Sequence, residues 1–65
     1  MKLRIEIKMD GAAFDGDNRN EEAARILRDV ATAMEYGTAL TAAGDRETLN
    51  DINGNIVGTA KLNTI

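Results

Sequence analysis

The chain has 65 residues, a mass of 7.0 kDa and a formal net charge of −3. Six residue types are absent: Cys, His, Pro, Trp, Ser and Gln. Their absence excludes disulfides, zinc sites built from Cys and His, and the serine or cysteine nucleophiles of acyl-transfer enzymes. Because only carboxylate chemistry is left, we expect no catalytic residue, no metal and no cofactor, and we disfavour an enzyme.

The length predicts a single domain over residues 1–65. Ten of the 28 hydrophobic residues are alanine, so the core is thin for a chain that buries only about 60% of its unfolded surface. With no disulfide or Cys/His metal site to help, a partner subunit is the expected stabiliser, and we predict a homo-oligomer. No apolar run is long enough for a membrane span, and residues 1–8 lack the apolar core of a signal peptide.

Residues 2–10 alternate without exception between charged and apolar side chains. The odd positions 3–9 are apolar and the even positions are charged, which is the period of a half-buried strand. A polar turn region follows over 11–20, in which Phe14 is expected to pack under the next element.

Asn18, with Glu21 three residues on, resembles the capping box of an amphipathic helix, and Asn20 is a competing start. The helix is predicted to end before Gly37. Arg25 is expected to pair with Glu21 and Asp29, four residues away on either side. The apolar stripe that predicts the helix consists of Ala23, Ile26, Leu27, Val30, Ala31 and Met34.

Residues 38–46 read as a loop or a short helical extension, anchored by Leu40. Residues 47–62 predict a β-hairpin around Asn53-Gly54, through either a type I′ turn or a type I turn from Asp51 with a G1 bulge at Gly54. The two turns give different strand registers, and the sequence leaves the choice open. Alternation places Ile56, Ala60 and Leu62 on one face of the last strand. It places Val57, Thr59 and Lys61 on the opposite face.

The predicted fold is therefore α+β, a compact β-α-β-β arrangement in which one amphipathic helix packs on a small sheet with a C-terminal β-hairpin. One helix covers one face of a three-stranded sheet, so the other face and at least one edge stay open. Open edges pair readily with another chain, which again favours a homo-oligomer.

The basic residues are the best candidates for a binding site. The polar face of the first strand carries Lys2, Arg4 and Lys8, and the last strand carries Lys61 beside Thr59. If these faces lie on the same side of the sheet, they form a patch suited to phosphates; a solvated face of mixed charge is the alternative. The candidate ligand-binding residues are Arg4, Lys8, Arg19, Tyr36, Thr59 and Lys61, with Tyr36 or Phe14 stacking on a base.

The alternating basic strand, the segment AARILRDVATAME and the pattern L-x-D-x-N-G-N-x-V-G at Leu49–Gly58 together resemble small accessory proteins of tailed bacteriophages and prophages. The resemblance brings no catalytic residues. It implies a compact phage product that interferes with a host function such as antiviral defence, located in the cytoplasm of the bacterial host.

Two functions follow as hypotheses. In the first, the homo-oligomer binds and sequesters a small anionic ligand such as a cyclic nucleotide immune signal. In the second, the protein inhibits a host defence protein, a nuclease or a CRISPR complex, through its acidic helix face or an open sheet edge. The mild acidity argues against double-stranded nucleic acid as a partner, and no membrane partner is expected.

Overall fold

The computed structural model describes all 65 residues and confirms the α+β class and the β-α-β-β order. A single 3-10 turn, Ala12–Phe14, precedes the helix. The elements are strand β1 at Lys2–Ile7, helix α1 at Asn18–Glu35, strand β2 at Arg46–Asn50 and strand β3 at Ile56–Asn63.

The sheet is antiparallel, and its order is β1-β3-β2. The last strand therefore lies in the centre, where it pairs with β1 on one side and with its hairpin partner β2 on the other. The helix covers one face. Both outer strands, β1 and β2, have an unpaired edge, and the second face is open.

The hairpin turn is the type I turn with a G1 bulge. The Gly54 N–H donates to the Asp51 carbonyl at 3.0 Å, and Gly54 has a φ of 85°. Asn53 does not have the positive φ that a type I′ turn requires. The Asp51 carboxylate stabilises the turn, because its Oδ1 accepts hydrogen bonds from the N–H groups of Asn53 and Asn55, both at 2.9 Å.

The core lies between α1 and the sheet. Alternation predicts Ile56 on its buried face, but Ile56 is 73% exposed. The reason is a register shift between Leu49 and Asn50, after which Val57 rather than Ile56 packs against the core. The buried apolar residues are Phe14, Ile26, Val30, Leu40, Leu49, Ala60 and Leu62.

The helix ends as predicted but begins differently. Glu35 is its last residue, and Gly37, with a φ of 70°, donates its N–H to the Met34 carbonyl at 3.1 Å. The predicted capping role of Asn18 is wrong: Asn18 is the first helical residue, Asp17 precedes it as the N-cap, and no side chain caps this end.

Candidate anion-binding face of the sheet

The open face of the sheet is defined by the strand register. Ala60 and Leu62 of β3 are buried beneath the helix, so the residues that alternate with them point away from it. Directly opposed residues of antiparallel strands share a face. The residues of this outer face are Lys2, Arg4 and Glu6 of β1, Thr59, Lys61 and Asn63 of β3, and Arg46 and Thr48 of β2.

Three cations lie in one row across the middle of this face. Lys61 on the central strand is the register partner of Arg4 on one side and of Arg46 on the other. Neighbouring strands are about 4.8 Å apart, so the basic row Arg4–Lys61–Arg46 spans about 10 Å. The sequence condition for an anion patch, that β1 and β3 show their basic residues on the same side, is met.

None of the three cations of the basic row forms an ion pair within the chain, although Glu6 lies on the same face, two residues from Arg4 along β1. The only ion pairs are those of Arg25, with Glu22 at 2.6 Å and with Asp29 at 3.0 Å, on the helix. The outer face holds four cations and one carboxylate, Glu6, although the whole chain has a net charge of −3. Like charges directly opposed across strands are destabilising, so the row favours binding of an anion.

Hydroxyl donors lie beside the row. Thr59 of β3 is opposed by Thr48 on β2 and by Glu6 on β1. The Thr side chains are exposed, and their hydroxyls donate or accept according to the ligand. Farther along β1, Lys8 and Val57 line a shallow depression together with Thr59.

The structure brings together three of the six sequence-predicted site residues: Arg4, Thr59 and Lys61. Lys8 lies past the end of β1. Arg19 and Tyr36 lie at opposite ends of α1, on the other side of the sheet. An α-helix rises about 1.5 Å per residue, so about 25 Å separates them within one chain.

The two aromatic residues differ in access. Phe14 is 4% exposed and belongs to the core, as its predicted place under the helix implies, so it is closed to a ligand. Tyr36 is 77% exposed. A contact between Tyr36 and a ligand on the basic row requires a second subunit.

Arg46 is the site residue that sequence reasoning missed. The sequence predicts it in the loop of residues 38–46, whereas in the structure it is the first residue of β2 and opposes Lys61. The turn alone does not decide its position. Counting back from the Asp51–Asn55 pair of the type I turn places Arg46 opposite Ala60, and the one-residue register shift between Leu49 and Asn50 moves Arg46 opposite Lys61.

The perturbed titratable groups lie away from the basic row, where α1 meets the hairpin. Glu22 is 6% exposed and accepts two hydrogen bonds from Arg25, at 2.6 and 3.1 Å, and one from the Ile52 N–H at 2.7 Å. The Arg25 guanidinium, helped by the Ile52 N–H, holds the pKa of Glu22 below its ordinary value although burial opposes it. The predicted pair of Arg25 with Glu21 is wrong, since Glu22 takes its place; the pair with Asp29 is confirmed.

Asp51 completes this junction. Burial, the strongest single influence, raises the pKa of Asp51, but hydrogen bonds from Asn55 and Asn53 together outweigh it and lower the pKa. The Arg25 guanidinium also donates to the Asn50 carbonyl at 3.2 Å. The bonds from Arg25 to Asn50 and from Ile52 to Glu22 hold the helix and the hairpin together. Every buried polar side-chain atom has a hydrogen-bond partner.

A groove of about 260 Å³ runs between α1 and the edge strand β2. Its lining includes the apolar Ile26, Val30 and Leu49 and the charged Arg25, Asp29 and Glu47, of which Arg25 and Asp29 form an ion pair at 3.0 Å. The groove opens beside the unpaired edge of β2.

No protein-family model, curated protein or solved structure matches the chain. The single helix is too polar to cross a membrane. No group of three acidic side chains is arranged to hold a metal ion.

Proposed function

We propose that the protein is a non-enzymatic binding protein that holds a phosphate-bearing anion on the outer face of its sheet and acts as a homo-oligomer. The observation that carries the proposal is the row Arg4–Lys61–Arg46, three directly opposed cations without an acidic partner in the chain.

The residue types of the row suit phosphate. A guanidinium offers a planar fork of donors that matches two phosphate oxygens, and an ammonium adds a compact charge. Arg4 and Arg46 flank Lys61, so an anion above Lys61 has a fork on each side. Thr59 and Thr48 supply hydroxyls one row away. Binding also relieves the repulsion among the three cations, an advantage that exposed single cations do not have.

The specific form of the proposal is sequestration of a nucleotide immune signal by a phage product in the cytoplasm of its bacterial host. The resemblance to phage accessory proteins supports this context. A sequestering protein needs no nucleophile or base, which agrees with a chain that has no Cys, His or Ser. Tyr36, exposed at the end of α1, is the proposed stacking residue for a base held between subunits.

A second candidate is inhibition of a host defence protein, a nuclease or a CRISPR complex. The groove between α1 and β2 favours it, because an apolar lining with Ile26, Val30 and Leu49 beside a free strand edge is a feature of peptide-binding surfaces. This candidate predicts binding that is independent of the basic row.

Isothermal titration against cyclic mononucleotides, cyclic dinucleotides and inorganic pyrophosphate tests the first candidate. We expect saturable binding of at least one of them, weakened at least tenfold by Lys61→Ala and by Arg46→Ala. The matched control is Arg28→Ala, which removes an exposed arginine from the helix and leaves affinity unchanged. Absence of heat with every probe, or equal loss in the Arg28→Ala variant, would overturn the proposal.

A further inference from the structure

The free edge of β1 has its backbone groups ready for another strand. The Lys8 N–H donates to the Val57 carbonyl at 2.7 Å, so Lys8 points its backbone groups toward β3. Alternate residues of a strand point them in opposite directions. Leu3, Ile5 and Ile7 therefore direct their N–H and C=O groups away from the sheet, where no strand of the chain receives them.

The side chains of β1 are complementary to those of a second β1 running antiparallel. When two copies pair around a two-fold axis at Ile5, Arg4 of each copy lies opposite Glu6 of the other. On the helix side, Leu3 opposes Ile7 of the second copy and Ile5 opposes Ile5. Each contact is made twice, as a two-fold interface requires.

The neighbouring registers are poorer. An axis at Arg4 places the two Arg4 side chains against each other, and an axis at Glu6 places the two Glu6 side chains together. Directly opposed like charges are unfavourable. In the Ile5 register Glu6, which has no ion pair within the chain, lies between Arg4 of its own strand and Arg4 of the second copy. The directly opposed like charges of this register are Lys2 of each copy and Lys8 of the other, at the ends of the strands.

An apolar flank extends the same edge on the helix side. Leu3 is 43% and Leu27 is 44% exposed. Arg25 and Asp29 line the groove beside β2, so Leu27, on the opposite flank of the helix, lies toward β1. A second copy paired on β1 covers both leucines. The β2 edge offers no such match, because its five residues carry Glu47 among the helix-side positions and contain the register shift between Leu49 and Asn50.

We infer that two copies of this chain form a dimer through antiparallel pairing of their β1 strands, centred on Ile5, with reciprocal Arg4–Glu6 ion pairs. The two sheets become one six-stranded sheet with both helices on one face and both basic rows on the other. Both Tyr36 residues then lie on the helix side, so a contact between Tyr36 and an anion on a basic row requires the association of two such dimers. The inference rests on the homo-oligomer in the proposed function but does not require that an anion binds. In this dimer Arg4 pairs with Glu6 of the second copy, so the anion contacts of the proposed function reduce to Lys61 and Arg46, the two residues whose variants test it.

Charge reversal tests this interface. Arg4→Glu places two carboxylates opposite each other at both ion-pair positions, and Glu6→Arg places two guanidinium groups there. We expect each single variant to raise the dimer dissociation constant at least tenfold in sedimentation velocity, and the double variant Arg4→Glu/Glu6→Arg to restore the dimer. Circular dichroism confirms that each variant is folded. A monomeric wild-type chain, or a double variant no better than the singles, would overturn the inference.

Cysteine pairing fixes the register independently, because the chain has no cysteine of its own. A mixture of Arg4→Cys chains and Glu6→Cys chains is expected to give mainly the mixed disulfide dimer in a glutathione buffer. Preferential coupling of Arg4→Cys chains to each other would place the axis at Arg4 and contradict the inferred register. Stabilisation of the wild-type chain by inorganic pyrophosphate, measured in parallel with Lys61→Ala as the variant expected to lose it, separates failure of the interface from failure of anion binding.

Discussion

The Oε2 atom of Glu22 accepts the backbone N–H of Ile52 at 2.7 Å, joining the first turns of α1 to the hairpin turn 30 residues later. The same oxygen accepts a hydrogen bond from Arg25 at 3.1 Å. The Asp51 carboxylate, one residue before Ile52, holds the turn itself. Two buried carboxylates thus maintain the position of the hairpin against the helix, and both act in their ionised form.

The first prediction concerns pH. The pKa values of Glu22 and Asp51 are lower in the folded protein than in free carboxyls, for which the pKa is about 4. Stability from these groups is therefore fully present above about pH 5 and is lost as pH falls through the folded values. We expect the urea midpoint to decrease between pH 5 and pH 3.

The control for this experiment is the double variant Glu22→Gln/Asp51→Asn. It removes both ionisations, so its urea midpoint is expected to be lower than that of the wild type at pH 7 and to change less between pH 5 and pH 3. A wild-type midpoint that is constant over this range would contradict the assignment.

The second prediction concerns Gly58 on the central strand. A Cβ at this position would overlap the Glu6 carbonyl oxygen and lie 3.0 Å from the Ile7 Cα. Gly58→Ala therefore forces β1 away from β3, and overpacking of this kind costs about 1–3 kcal/mol. The adjacent Thr59→Ala, on the open face, is the matched control, which loses only strand propensity and cross-strand contacts, about 0.2–1 kcal/mol. Equal stability of the two variants in urea would show that β1 tolerates the Cβ.

Local patterns predicted the elements because each needs only near neighbours. The alternation of residues 2–10 is enough for β1, and the spacing of Ile26 and Val30 is enough for α1. The hairpin register was open because Asn53-Gly54 fits two turns. What decides between them is the inward orientation of the Asp51 side chain, which depends on its surroundings.

The site was predicted in part for the same reason. Arg4 and Lys61 follow from alternation once β1 and β3 share a face, but Arg46 depends on the register and was missed. The burial of Glu22 does not follow from neighbouring residues in the sequence, because the Ile52 N–H that donates a hydrogen bond to it lies 30 residues away. The exposure of Ile56 follows from the register shift, which alternation alone does not predict.

The third prediction distinguishes the two turns in solution. In the type I turn with a G1 bulge, only Gly54 has a positive φ, 85°. Gly54→Ala is expected to cost about 1–2 kcal/mol, the penalty of the left-handed region for an L-residue, whereas Asn53→Ala is expected to cost much less. Urea unfolding of the two variants measures the difference. Comparable losses at both positions would instead indicate a type I′ turn, which needs positive φ at both.

The fourth prediction concerns Leu40, the only residue other than glycine with a positive φ, 55°. Its side chain is 6% exposed and anchors the loop between α1 and β2 in the core. Leu40→Ala removes the buried side chain and keeps the unfavourable backbone, so we expect a loss of about 2–5 kcal/mol. Leu40→Gly removes the same side chain but relieves the backbone.

At an ordinary position glycine is less stable than alanine by about 0.5–1 kcal/mol. At position 40, the left-handed penalty of about 1–2 kcal/mol falls on alanine alone. Leu40→Gly is therefore expected to equal or exceed Leu40→Ala in its free energy of unfolding, a reversal of the usual order. Exposed Ala31, in the middle of α1, serves as the reference position, where Ala31→Gly must show the normal loss. The contrary outcome is that Leu40→Gly is less stable than Leu40→Ala by the same margin as Ala31→Gly is less stable than the wild type. That outcome would show that the backbone at position 40 is not left-handed in solution.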